Sequence, residues 1–74
     1  MAGFRIFGRV EKLGQSGYFV IAAANPDRPS DEDRAIVLTR TATSLPEANA
    51  ERRTLMAKVD EAVRARGDTV ISVE

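Results

Sequence analysis

The sequence contains no cysteine and no histidine. Without cysteine, disulfides, thiolate metal sites and thiol nucleophiles are excluded. Without histidine, the chain lacks the commonest transition-metal ligand and the commonest general base near neutral pH. The 74 residues are enough for one small domain, and such a domain buries only about 60% of its unfolded surface. We therefore expect a single non-enzymatic domain without a cofactor or a metal.

The chain also lacks a net charge and a long apolar segment. Eleven basic and eleven acidic residues cancel, which argues against a dedicated nucleic-acid or membrane-surface protein. The longest apolar run, Tyr18 to Ala24, is far shorter than the roughly 20 residues of a membrane helix. Arg5 and Arg9 interrupt the segment where a signal peptide would be apolar. We expect a cytoplasmic protein with no membrane partner. The excess of arginine over lysine and the abundance of alanine are attributed to a GC-rich bacterial genome.

The first 24 residues have the pattern of a β-hairpin. Apolar and polar residues alternate from Phe4 to Glu11, with Phe7 as the one exception. Gly14 and Gly17 then suit a tight turn. The run 18–24 is apolar on both faces, as in an inner strand of a sheet. The pattern predicts strands at about 4–13 and 18–24.

The length of the turn determines the predicted register. A two-residue loop, Gln15–Ser16, pairs Val10 with Ile21 and Gly8 with Ala23, and a four-residue loop gives the same pairing. A shift by one residue would exchange the faces of one strand, so this assignment depends on the loop. In the predicted register, one face carries Phe4, Ile6, Val10, Phe19 and Ile21. The other face carries Arg5, Phe7, Arg9, Leu13, Tyr18, Val20 and Ala22.

The remaining elements follow from local signals. Residues 25–33 contain two prolines and four acids, which predicts a mobile polar loop. Residues 34–41 are β-branched and apolar at their centre, which predicts a third strand. Ser44 and Glu47 match a capping box, and Gly67 suits a helix end, which predicts a helix over about 45–66. A last strand is expected at 69–73, parallel to a neighbouring strand.

These elements predict an α+β fold in the order β-β-β-α-β. The sheet is mainly antiparallel, with one long helix packed on one face. One helix covers one face and leaves the other open. An exposed apolar patch with a polar rim is typical of an interaction surface. The predicted interaction face consists of Arg5, Phe7, Arg9, Tyr18 and Val20.

Three uses of this face are distinguished. A homodimer is favoured, a plain solvated face comes second, and nucleic-acid binding by arginines and aromatic rings comes third. The order of three strands and a helix is distantly similar, in topology alone, to the sheet-first DNA-binding domains of some phage-type integrases. That resemblance implies the nucleic-acid alternative.

Other polar groups are interpreted as structural. Ser16 lies between two strands and has no histidine as its base, so a hairpin turn is preferred to a nucleophile. The carboxylates of residues 27–33 lack the glycine and closing glutamate of a calcium loop. The basic residues Arg52, Arg53 and Lys58 are expected on the solvent side of the helix, with the stem of Arg52 over the core edge.

Overall fold

The order of elements along the chain is β-β-β-α-β, as the sequence predicts. A computed structural model describes residues 2–74 and contains, within them, four strands in one mixed sheet and one long helix. The elements are β1 (Gly3–Leu13), β2 (Gly17–Pro26), a 3-10 helix (Pro29–Arg34), β3 (Ile36–Ala42), α1 (Leu45–Ala65) and β4 (Thr69–Val73). The sheet order is β3-β2-β1-β4; β1 pairs antiparallel with β2, β2 with β3, and β4 lies parallel to β1. The predicted fold class and the parallel last strand are confirmed.

The predicted register of the hairpin is wrong by one residue. Val10 lies opposite Val20, whereas the prediction paired it with Ile21. The loop has three residues, Gly14–Ser16, and Gly17 already pairs within β2. The first loop residue has a φ of 57°, a conformation that glycine adopts without steric cost. Because side chains alternate along a strand, this shift moves every side chain of β2 to the face opposite the predicted one.

The hydrophobic core lies between α1 and one face of the sheet. The helix contributes four buried residues to it, Ala48, Leu55, Val59 and Val63. Small alanines on β2 let the helix approach the sheet closely. The buried cluster consists of Phe4, Ile6, Val20, Ala22, Ala24, Ala42, Ala48, Leu55, Val59 and Val63.

The helix crosses β1 at Gly8. A Cβ atom added to Gly8 would lie 2.8 Å from Cγ of Met56 and 2.9 Å from Cγ of Arg52. Both distances are shorter than ordinary carbon–carbon contacts of about 3.5–4.0 Å. The stem of Arg52 therefore covers the edge of the core, as predicted, and glycine provides the space for it.

Both ends of α1 are capped. The Ser44 hydroxyl accepts a hydrogen bond from the Glu47 amide at 3.3 Å, so the predicted N-cap is confirmed. The Glu47 carboxylate accepts from the hydroxyl of Thr43 at 2.9 Å and from its amide at 3.4 Å, one residue earlier than a capping box requires. At the other end Gly67 has a φ of 85°, and the next amide donates to the Val63 carbonyl at 3.2 Å. Together with the Gly67 amide, which donates to the Arg64 carbonyl at 3.0 Å, this bond forms a Schellman motif.

The segment 25–33, predicted as a polar loop, contains secondary structure. Asn25 and Pro26 belong to β2, and the 3-10 helix begins at Pro29. Proline suits the first turn of a helix because its fixed φ is helical and it lacks the N–H that would be unpaired there. β3 begins at Ile36, two residues later than predicted, because Arg34 is still part of the 3-10 helix.

Candidate functional site: the open face of the sheet

The side of the sheet opposite α1 is formed by the side chains that alternate with the core. Phe4 and Ile6 are fully buried under the helix, so Arg5, Phe7 and Arg9 point to the opposite side. We call that side the open face. The pairings assign to it Arg5, Phe7, Arg9, Glu11 and Leu13 of β1, Phe19, Ile21, Ala23 and Asn25 of β2, and Val37, Thr39 and Thr41 of β3. Ile71 of β4 lies against Gly3 on the same side.

The structure brings together three of the five predicted site residues. Arg5, Phe7 and Arg9 share the open face. Tyr18 and Val20 lie on the helix side, where Val20 is fully buried and Tyr18 packs against the core. The prediction that these five residues form one face is therefore wrong for the two on β2, because the hairpin loop has three residues.

Phe19 and Ile21 occupy the positions that the sequence assigned to Tyr18 and Val20. Both are half-buried on the open face, and Val37, opposite Ala23 on β3, is 58% exposed. The residues of β2 are apolar on both sides, so periodicity could not distinguish its two faces. The small side chains of Ala22 and Ala24 were the available signal, because the face under a helix needs room.

Cross-strand pairing arranges the centre of the open face in two neighbouring rows. Within each row, one residue of β1 lies opposite one of β2, which lies opposite one of β3. The arginine row consists of Arg9, Ile21 and Thr39, and the glutamate row consists of Glu11, Phe19 and Thr41. Each row therefore has a charge on β1, a large apolar group on β2 and a hydroxyl on β3.

The charges of the open face are balanced. Nη2 of Arg5 lies 3.1 Å from Oδ1 of Asp27, with both side chains half exposed. The Arg9 guanidinium lies 5.7 Å from the centroid of the Phe7 ring, within cation–π range. Neither Arg9 nor Glu11 forms an ion pair with any residue in 2–74. Arg5 is therefore paired, whereas Arg9 and Glu11 each lack an ionic partner within the described chain.

A second cluster of charges surrounds Asp68, whose side chain is 3% exposed. Its carboxylate accepts hydrogen bonds from the Ala2 amide at 3.2 Å and from Nη2 of Arg34 at 2.9 Å, and lies 3.2 Å from Nε of Arg66. Burial raises the pKa of Asp68, but the Ala2 amide and the charges of Arg34 and Arg66 outweigh it and hold the pKa below its ordinary value. Arg66 also stacks on the buried Phe4 ring, 4.9 Å from its centroid. This cluster joins the first residues of the chain to both helices and β4.

The depressions in the surface are shallow, and one of them lies on the open face itself. Within residues 2–74 no group of three or more acidic side chains is arranged to hold a metal ion. A shallow depression of about 550 Å³ is lined by Asp60, Glu61 and Arg64 on the solvent side of α1. Another, of about 400 Å³, borders Phe7 and Arg9 on the open face. None of the helices in the described chain is long and apolar enough to cross a membrane.

An ion pair joins two residues one turn apart on α1, with Nε of Arg64 2.6 Å from Oδ1 of Asp60. Both side chains are partly exposed, so the pair supports the helix and offers no buried catalytic group.

The open face is therefore the most prominent candidate site. Comparison of the chain with models of known families, with curated proteins and with solved structures finds no match.

Proposed function

We propose that this chain is a small, non-enzymatic protein-interaction module that buries its open face against another protein chain. The supporting observation is the set of large apolar side chains that the open face carries. They are Phe7, Phe19, Ile21, Val37 and Ile71.

An antiparallel sheet with one solvated face normally carries polar side chains on that face. Here phenylalanine, isoleucine and valine occupy those positions, and Val37 and Ile71 are 58% and 45% exposed. Exposed apolar surface of this kind, bordered by Arg5, Thr39 and other polar groups, marks protein contacts in soluble proteins. Burial of such groups stabilises a complex by roughly 25 cal/mol per Å² of apolar surface before the costs of association.

Binding of nucleic acid is the second candidate function, and it has one specific observation in its favour. Phe7 and Phe19 are aromatic rings on the same face of adjacent strands, and single-stranded nucleic acids stack their bases on such rings. Phosphates also require a positive field. Asp27 balances Arg5, and Glu11 stands two residues from Arg9. The balanced charge favours a protein partner.

Photo-crosslinking in cells tests the proposed function. We expect p-benzoylphenylalanine in place of Phe19, at the centre of the open face, to form a protein adduct. The same group in place of Ala57, on the exposed side of α1, should form none. Adding Ile21→Asp beside the probe should remove the adduct, because a buried carboxylate disrupts an apolar contact. Equal crosslinking at positions 19 and 57 would contradict the proposal.

The same sample distinguishes the second candidate. An adduct that nuclease treatment shortens would identify nucleic acid as the partner. In that case the affinity for short single-stranded RNA should fall steeply with salt, and Arg9→Ala should reduce the slope of log K against log salt by about 0.7, the contribution of one phosphate contact. An affinity that is independent of salt would exclude this candidate.

A further inference from the structure

The pattern of charges on the open face selects a particular partner. Building on the proposed function, we infer that the partner is a second copy of this chain, packed open face to open face about a two-fold axis. The axis lies in the interface, perpendicular to the strands, at the level of the Val10–Val20 pair, which separates the arginine row from the glutamate row.

Rotation about this axis places the arginine row of each copy over the glutamate row of the other. Arg9 then faces Glu11 of the second copy, and the reverse contact forms at the same time, because a two-fold interface repeats every contact. The residues of β2 and β3 match in the same way: Ile21 lies over Phe19, and Thr39 over Thr41. Every residue of the two rows thus faces a group of complementary charge or equal polarity.

The same rotation also matches residues that lie further from the axis. Two residues beyond the rows on β1, Phe7 of one copy lies over Leu13 of the other, and Leu13 is 48% exposed in the single chain. Aligned sheets pack about 10 Å apart and cross at about 30°. Side chains near the axis keep their partners at that crossing angle, and arginine and glutamate are together long enough to meet across the gap.

The charge of the whole chain permits self-association. Eleven cations and eleven anions leave no net charge, so two copies experience no long-range repulsion. Arg9 and Glu11, which have no ionic partner within residues 2–74, find one in the second copy. A partner that pairs with both charges must present an anion opposite Arg9 and a cation opposite Glu11. The open face of a second copy, turned by the two-fold rotation, presents these two charges.

The small area available indicates a weak dimer. The overlap contains three strands, β1, β2 and β3, about 4.8 Å apart, and is about 25 Å long, which gives a projected area of roughly 350 Å² per copy. Stable interfaces bury about 800 Å² per partner. We therefore expect a reversible dimer with a dissociation constant of about 1–100 μM.

Sedimentation velocity from about 1 μM to 500 μM tests this inference with a charge exchange. Glu11→Arg places two pairs of arginines face to face and should weaken the dimer about 30-fold, and Arg9→Glu should do the same with glutamates. The double exchange, Arg9→Glu with Glu11→Arg, restores both contacts and should return the dissociation constant to within about threefold of the original. Glu61→Arg, an exposed helix residue, makes the same change in net charge and should have no effect.

The outcomes separate the inference from the proposed function. A chain that remains monomeric up to 500 μM overturns the inference, while protein adducts at position 19 that Ile21→Asp removes would still support the proposed function. A dimer that the single reversals leave intact, or that the double exchange does not restore, also overturns the two-fold arrangement. Monomers together with no adduct at position 19 overturn both. Far-UV circular dichroism of each variant tests whether a change in its sedimenting mass is caused by unfolding.

Discussion

Placing a side chain at Gly8 is expected to destabilise the protein by forcing α1 away from the sheet. An alanine Cβ would lie 2.8 Å from Cγ of Met56 and 2.9 Å from Cγ of Arg52. Overpacking of this kind costs about 1–3 kcal/mol, and replacing glycine returns about 0.4–1 kcal/mol through the unfolded chain. For Gly8→Ala the net loss is therefore about 1 kcal/mol. Gly8→Val adds two methyl groups in the same gap and should cost about 2–4 kcal/mol.

Urea unfolding measures this difference directly. At about 0.05–0.15 kcal/mol per residue, the free energy of unfolding of the 74 residues is about 4–11 kcal/mol. Gly8→Val would thus remove a large fraction of it. The midpoint of thermal unfolding should fall by about 4–8 °C for each kcal/mol lost.

Two variants show whether the contact with α1 is the cause. A Cβ at Gly17 would lie 3.5 Å from the Leu13 carbonyl oxygen, an ordinary contact. Gly17→Ala should therefore change the free energy of unfolding by less than about 1 kcal/mol, in the stabilising direction. Met56→Ala removes the obstructing side chain, so Gly8→Ala should cost about 1 kcal/mol less in that background. Gly8→Val with unchanged stability would refute the argument that the helix crosses β1 in contact with Gly8.

Three further substitutions test the ends of the helix. Asp68→Asn should lower the free energy of unfolding at neutral pH. The folded-state pKa of Asp68 is below its ordinary value. The ionised carboxylate therefore stabilises the fold above the ordinary pKa, and this stability is lost as the pH falls through the folded-state pKa. Urea midpoints of both proteins should therefore converge below about pH 4, and a constant difference would contradict the assignment. Ser44→Ala removes the N-cap and should cost about 1 kcal/mol in urea unfolding. Gly67→Ala forces alanine to a φ of 85° and should cost about 1–2 kcal/mol, whereas substitution of the exposed Ala65 by serine should cost less than 1 kcal/mol.

The elements and their order could be predicted because their signals are local. Ser44, Glu47 and Gly67 lie within the helix or next to it, and they determined its ends to within one residue. The parallel arrangement of β4 followed from the handed connection of a strand, a helix and a strand. Such features depend on neighbouring residues and on chain geometry, both of which are visible in a sequence.

The composition of the open face could not be predicted in full because it depends on the length of one loop. Gly14 and Gly17 are equivalent in the sequence, yet Gly14 adopts a positive φ in the loop and Gly17 pairs in β2. Since β2 is apolar on both sides, its sequence has no alternation of apolar and polar residues that would have contradicted the wrong register. The contact of Arg34 with Asp68 joins residues 34 positions apart, and composition gives no sign of it.

The Asp68 cluster has a consequence for how the folded chain opens. β4 has five residues and pairs with β1, and the residue directly before it, Asp68, carries the carboxylate that engages Ala2, Arg34 and Arg66. Detaching β4 therefore requires the chain start, the 3-10 helix and the end of α1 to lose their contacts in the same event. Hydrogen exchange should show the amides around these contacts opening as one unit with a common free energy, separate from the β1–β2 hairpin. A single carboxylate thus sets which parts of this sheet can fluctuate independently.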